Sequence, residues 1–372
     1  MSPISIYGQR QAQLSHALRA ARLDALVLNP GPSLVYLTGI GFHLMERPVV
    51  AIFIPNTPVC FIIPQLEEAK MQGLSFATQH FLFGEDSNTW GSTYTTGMHA
   101  AGLEYGRIGV EAERLRLLEL RYLQAGSPAV DFIPIDASLI GLRAIKDAEE
   151  ITATRKAVEI AQDALAATLP SLKIGVTERE IASELTLQMF RHGCDPELPF
   201  GLDVTFGENT ANPHAIPGSR TLKNGDLILF DWGACYDGYC SDITRVFSMG
   251  KPDAEFVHIA KIVKQANSAA RALAAPGILA NELDNAARSQ IENAGYGQLF
   301  RHRTGHGLGM EVHEAPYIVF NNNKPLNAGN IFTIEPGIYL LGRGGIRIED
   351  DVLITENGAE TLSSLPRELI EL

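Results

Sequence analysis

The 372-residue chain is 45% hydrophobic and 20% charged, an ordinary globular composition, and its length suits two domains. A formal net charge of −13 with no Lys/Arg cluster argues against a nucleic-acid partner. No apolar run is long enough to span a bilayer, and four scattered cysteines without a CxxC pattern suit a reducing compartment, so a cytoplasmic protein without membrane attachment is expected.

The opening 25 residues lack the apolar h-region of a secretory signal and read as the start of an amphipathic helix. Residues 1–140 pattern as a small α/β unit. Strands are predicted near Asp24–Asn29 and Ser33–Thr38, and a hairpin-like pair in Val49–Ile54 and Val59–Ile63 around Pro55-Asn56-Thr57-Pro58. Further strands are predicted near Arg107–Glu111 and Val130–Ile135. No catalytic constellation is visible here. His43, Glu46 and Arg47 beside a turn read as loop polar residues, with the lining of a cleft across the domain boundary as the other reading.

Residues 141–372 read differently. Asp147 is placed to cap a helix and Glu150, three residues on, completes a capping box before Ile151, Val158 and Leu165 at heptad spacing. Thr177 and Glu180 repeat the device, and Gly193 ends that helix. Gly175, Glu180, Ile181 and Gly193 then recur as Gly277, Glu282, Leu283 and Gly295 at a constant offset of 102 residues. Each half thus reads as two helices followed by strands, and two such α+β halves can join their sheets across a pseudo-two-fold.

The stretch Leu227–Phe247 carries the strongest local signal, because Asp237-Gly238 between two apolar runs marks a two-residue hairpin turn. In that register Tyr236 faces Tyr239, Gly233 faces Asp242 and Asp231 faces Thr244. Asp231 and Asp242 then share a face as diagonal neighbours roughly 7–8 Å apart, with Gly233 read as leaving room there. Two carboxylates on one such face repel each other and are costly to bury unless protonated or neutralised by a cation. A solvated face with incidental acids is the other reading. Cys235 and Cys240 fall opposite each other and read as reduced, packed thiols rather than a disulfide.

The second half brings Glu335 in FTIEPGIY and Glu349 in GGIRIEDDVLIT, both among β-branched residues, with Pro336 marking an edge or bulge. The glycine-rich stretch HRTGHGLGMEVHE offers His302, His306 and His313, and ANPHAIPG offers His214. Arg347 shares strand parity with Glu349 and is expected to orient a carboxylate as a supporting residue. Arg343 in LLGRGG reads either as a partner for a substrate carboxylate or as a solvated loop residue.

With these pieces in order, the chain resembles the creatinase/prolidase/methionine aminopeptidase superfamily with its pita-bread fold, and within it the Xaa-Pro peptidases. The resemblance implies an α+β chain: a creatinase-type α/β domain over residues 1–140, then a pita-bread domain over 141–372 with a pseudo-two-fold repeat and a curved antiparallel sheet. The family's ordered ligands are Asp, Asp, His, Glu and Glu, which fall here on Asp231, Asp242, His306, Glu335 and Glu349. The resemblance further implies that Asp242 and Glu349 bridge two ions, that Asp231 chelates one, and that His306 and Glu335 bind the other. Glu335 also shuttles a proton, while His214 and His313 match histidines that donate to the substrate carbonyl.

Four carboxylates and one imidazole suit divalent Mn, Co, Fe or Zn, and two such ions per chain are expected to activate a bridging hydroxide. The implied activity is cleavage of the bond preceding proline in a small peptide, as an Xaa-Pro dipeptidase or an Xaa-Pro aminopeptidase. The family pattern adds a homodimer. Two alternatives stay open: hydrolysis of another small amide or amidine on the same scaffold, and a catalytically inactive binding module.

Overall fold

The computed structural model describes residues 5–135 and 137–372; the first four residues of the predicted opening stretch lie outside the described residues. The chain divides into two compact units, Met1–Arg143 and Ala144–Leu372.

In the first unit, Ser5 caps α1 (Ile6–Ala20) by accepting from the Gly8 N–H. There follow β1 (Ala25–Leu28), α2 (Pro32–Thr38), β2 (Val50–Phe53), β3 (Val59–Pro64), β4 (Thr78–Phe83), α3 (Trp90–Ala100), β5 (Tyr105–Val110), α4 (Leu117–Gly126), β6 (Ala129–Pro134) and α5 (Ala137–Ala144). The strands form one mixed sheet in the order β4-β3-β2-β1-β5-β6. The predicted pair around Pro55-Asn56-Thr57-Pro58 is the antiparallel β2–β3 hairpin, with Asn56 at φ 64° in its turn. Ser33–Thr38 corrects the sequence reading, because it is helix α2 and not a strand. Pro32 presets the first-turn φ, Leu34 and Leu37 recur at helical spacing on the buried side, and Gly39 at φ 73° ends the helix.

The second unit opens with the predicted capping box: the Asp147 carboxylate accepts from the Glu149 and Glu150 amides, and Glu150 accepts from the Asp147 N–H at 2.8 Å. Helices α6 (Ala148–Thr168) and α7 (Glu178–Arg191) precede β7 (Asp203–Phe206), β8 (Leu227–Trp232), β9 (Cys235–Tyr236), β10 (Tyr239–Cys240) and β11 (Ile243–Ser248). Helices α8 (Ala254–Leu273) and α9 (Ala280–Asn293) precede β12 (Gly305–Gly307), β13 (Glu314–Ile318), β14 (Ile331–Ile334), β15 (Gly337–Leu340), β16 (Gly344–Arg347), β17 (Asp350–Thr355), β18 (Gly358–Thr361) and β19 (Ile370–Glu371). One half-sheet has the order β19-β11-β8-β7 and the other β13-β12-β14-β17-β18.

The repeat is visible in backbone geometry. Gly175 (φ 92°) donates to the Leu222 carbonyl while Leu222 donates to Val176; Gly277 (φ 87°) does the same with Leu326, which donates to Ile278. Glu180 accepts from the Thr177 amide at 2.8 Å and Glu282 from the Leu279 amide at 2.9 Å. The two half-sheets meet at an isolated bridge in which the Glu349 amide donates to the Thr244 carbonyl, across the pseudo-two-fold. This architecture is α+β.

One face of the first half-sheet buries Val204, Phe206, Ile228, Phe230 and Trp232 with apolar residues of α6 and α7, each large side chain contributing about 1.5–3 kcal/mol. The opposite face is apolar at Leu227, Leu229 and Val246, then turns polar at Asp203, Asp231 and Thr244. The hairpin register matches the sequence reading at every recorded pair: Tyr236 with Tyr239, Cys235 with Cys240, Trp232 with Ile243 and Asp231 with Thr244. Asp237 (φ 54°) and Gly238 (φ 77°) both adopt left-handed backbone, as a type I′ turn requires. At Gly233 a Cβ would run into the Ser241 carbonyl, so glycine there serves close backbone approach. Cys235 and Cys240 are free thiols. Among the described residues, no helix is long and apolar enough to cross a membrane.

Candidate metal centre

Each acid of interest sits where a strand ends. Asp231 lies near the end of β8 and Asp242 just before β11; Glu335 follows β14 and Glu349 falls between β16 and β17. His306 is the middle residue of β12. All five line one cavity of about 660 Å³, together with His214, His313 and Arg347. Ligand-capable atoms of Asp242, His306 and Glu349 lie within 4.8 Å of one another, and all three residues are buried.

The electrostatics of this cluster are those of a cation site. Burial, reinforced by Glu349 and Asp231, pushes the Asp242 carboxyl well above its ordinary range, and burial with Glu335 does the same to Glu349. Burial also raises Glu335 to about 7. His306 is held neutral by burial and by His313, whose ring centroid is 4.2 Å away. His306 Nδ1 faces the Gly307 carbonyl at 3.2 Å, which assigns the proton to Nδ1. The lone pair of Nε2 therefore points toward Glu335 Oε1 at 3.4 Å and Asp242 Oδ2 at 3.6 Å. A lone pair facing two carboxylates is repulsive unless a cation or a carboxyl proton lies between them. Asp231 Oδ1 and Asp242 Oδ1 are buried without a hydrogen-bond partner, so donor atoms remain for such an ion. The hard oxygen and imidazole set fits a divalent metal.

The remaining lone pairs are held by a supporting layer. Arg347 donates from Nη2 to Asp231, from Nε to the Thr244 hydroxyl at 3.0 Å and from Nη1 to the Tyr339 hydroxyl at 3.1 Å. Thr244 in turn donates to Glu349 Oε2 at 2.6 Å. Lys146 and Glu314 form a buried ion pair at 2.6 Å directly beside His313, fixing that loop. His313 is kept toward its neutral form by burial and by Arg303. His214 is exposed on a turn-rich loop at the cavity wall.

Several cavity residues were not singled out in the sequence. Tyr339 is one, hydrogen-bonded at 2.8 Å to the candidate His302, which burial lowers to about 4. Arg303 lies over the Tyr317 ring at 4.9 Å and lines the cavity. Asp203 faces Asp231 across the β7–β8 ladder, and its signal, an acid inside the apolar run LDVTF, was available. The structure does not bring Arg343 to this cavity: it pairs with Glu255 at 2.6 Å and Asp253 at 3.4 Å. His43 is exposed in the first unit, and Arg47 there pairs with Glu46 and Glu85.

Comparison with known proteins agrees with the geometry. Residues 10–145 match the creatinase/prolidase N-terminal domain. A prolidase of Thermococcus sibiricus has a structure similar to this chain, with TM-score 0.94 and 34% identity, covering 98% of this chain and 99% of its own. A dipeptidase of Pyrococcus horikoshii gives TM-score 0.92 and 36% identity, covering 98% and 100%. An uncharacterized peptidase of Staphylococcus saprophyticus is 34% identical over 351 residues, 94% of this chain and 98% of its own. Residues 152–356 match metallopeptidase family M24, and with these relatives spanning nearly its whole length, the chain belongs to that family of divalent-metal peptidases.

Proposed function

We propose that the chain is a dinuclear Xaa-Pro dipeptidase, with Asp231, Asp242, His306, Glu335 and Glu349 holding two divalent ions. One observation carries the reading: four carboxylates and the free lone pair of His306 line one cavity, with two of the carboxylate oxygens unpartnered, and together they offer more donor atoms than the roughly four to six that one ion takes. The names of the similar archaeal prolidase and dipeptidase support the substrate class.

When bound, divalent ions supply the charge that acidifies a water and polarises the scissile carbonyl. The chain's own residues do the rest. Asp242, His306 and Glu349, whose ligand atoms lie within 4.8 Å of one another, would hold the ions together with Asp231 and Glu335. Glu335 takes the proton of the attacking water and returns it to the leaving nitrogen. His214 and His313, on the cavity wall, donate to the developing oxyanion. Arg347 fixes Asp231, and through Thr244 it fixes Glu349, so both half-sheets present their acids in register. Arg303 is the cation assigned to the free carboxylate of a dipeptide, in place of Arg343.

Product analysis after reconstitution with Mn or Co tests the reading, using Xaa-Pro dipeptides, longer Xaa-Pro peptides and non-proline controls. Cleavage of Xaa-Pro dipeptides above all others is expected. Preference for the longer peptides makes the chain an Xaa-Pro aminopeptidase, and indifference to proline removes the substrate assignment.

A further inference from the structure

Asp203 is a buried acid with no partner and no role in the reading above. Its residue is 4% exposed, yet both carboxylate oxygens lack a hydrogen bond. Burial raises its carboxyl to about 7; the Thr205 hydroxyl and Ala215 amide act weakly in the other direction, but neither completes a bond, and the Thr205 hydroxyl is itself unpartnered. Arg347 is its nearest cationic influence, yet the donors of that guanidinium are spent on Asp231, Thr244 and Tyr339. A carboxylate in this state costs several kcal/mol of desolvation by general reckoning, which folding does not recover.

The position gives the acid something to face. Asp203 and Asp231 are direct partners across the β7–β8 ladder, so their side chains leave the sheet on the same side, and both line the cavity. Apart from Arg347, whose donors are already engaged, the arginines of the cavity wall are Arg301 and Arg303 from the stretch before β12, while Asp203 and Asp231 belong to the other half-sheet. A short zwitterionic peptide entering it places its carboxylate toward the arginines and its amino-terminal residue toward Asp203.

We propose that Asp203 receives a cationic group of the substrate residue on the amino side of the scissile bond, either its α-ammonium or a basic side chain. This rests on the peptidase reading for the direction of the substrate. The acid is then a specificity-determining residue whose hydrogen bonds are completed by the substrate, and its unpartnered state without substrate is the cost of that selectivity. A structural carboxylate would instead be bonded in the folded chain.

Calorimetric binding of norleucinamide and lysinamide to Mn-reconstituted wild type, Asp203→Asn and Asp203→Leu tests this. Both substitutions remove a buried unpartnered charge, so the variants are expected to melt no lower than wild type and to keep their metal. The proposal expects roughly tenfold or greater weakening of lysinamide in both variants, the scale of a lost charged hydrogen bond. Equal weakening of norleucinamide identifies the α-ammonium as the ligand; weakening of lysinamide alone identifies the basic side chain, and Lys-Pro cleavage then falls relative to Leu-Pro. Unchanged affinity for both probes, or a lower melting temperature in both variants, overturns the proposal. If the probes behave as expected and no Xaa-Pro peptide is cleaved, the cation site stands and the peptidase assignment fails.

Discussion

Arg347 and Tyr339 are joined at 3.1 Å between Nη1 and the phenol oxygen, and the direction of that bond fixes a chain of protons across the cavity wall. Because Tyr339 accepts from Arg347, its own proton is free for His302 Nε2 at 2.8 Å, and His302 Nδ1 donates to the Arg303 carbonyl at 2.8 Å. His302 is thereby a neutral imidazole of defined tautomer, in keeping with burial lowering it to about 4.

Removing the middle of that chain is informative. Tyr339→Phe leaves a buried guanidinium proton and an imidazole lone pair unsatisfied, so it is expected to destabilise by about 1–3 kcal/mol. Metal content should be retained, since Arg347 still reaches Asp231 and Thr244. Denaturant unfolding and elemental analysis of the variant check both statements; loss of metal comparable to an Asp231 substitution would show that Tyr339 acts on the acids themselves.

The four acids and His306 should separate from the two wall histidines. Asp242→Ala is expected to lose metal and activity together, because Asp242 lies within reach of both His306 and Glu349. His313→Ala is expected to keep its metal and lose about 10²–10³-fold in kcat, the usual scale for an oxyanion donor. Elemental analysis beside steady-state kinetics decides it, and equal metal loss in the two variants removes the helper assignment of His313.

Much of this arrangement was legible because it is local. The capping boxes at Asp147 and Thr177, the Asp237-Gly238 turn and the register that sets Asp231 against Thr244 depend on residues near in sequence, and the 102-residue repeat showed that a second half would follow the first. Contacts made by folding were not legible. Thr244 was placed opposite Asp231 by the register, but its bond to Glu349 requires the half-sheets to meet. Arg343 was left between a substrate-carboxylate partner and a solvated loop residue, and its exposed pairing with Glu255 on α8 decides for the second. Ser33–Thr38 failed because so short an apolar run fits either period, and Pro32 decided for the helix.

Metal removal should leave a proton signature. Burial raises Glu335 to about 7, with Asp242 and Glu349 raised as well. For Glu335 the folded pKa exceeds the ordinary 4.5, so its contribution to metal-free stability is full below about 4.5 and is lost as pH rises through about 7. His302 runs oppositely but is common to both forms, so the difference in melting temperature between loaded and metal-free protein isolates the acids. That difference should widen from pH 5 to 7, and metal added at pH 6 should release protons into a weak buffer. A constant difference with no proton release would mean that these carboxyls are already ionised without metal.

The last expectation concerns how His306 is held. β12 contains only Gly305, His306 and Gly307, and it lies between β13 and β14. A Cβ on Gly305 would overlap the Thr333 carbonyl of β14, and one on Gly307 would overlap the Ala315 carbonyl of β13; each is backbone that cannot rotate away. The two glycines therefore let neighbouring strands close around the histidine until the Thr333 hydroxyl accepts from its amide at 3.2 Å. Gly305→Ala forces β12 off β14, with an expected cost of about 1–3 kcal/mol or more from overpacking. Because His306 moves with the strand, metal affinity should fall further than global stability does. Gly295→Ala is the control: this glycine lies outside the strands at φ 85°, and a Cβ there meets nothing within 4 Å, so it should cost about 1 kcal/mol through backbone strain and leave metal affinity alone. Metal titration of both variants by calorimetry compares them, and equal affinities would show that β12 tolerates displacement without consequence for the site.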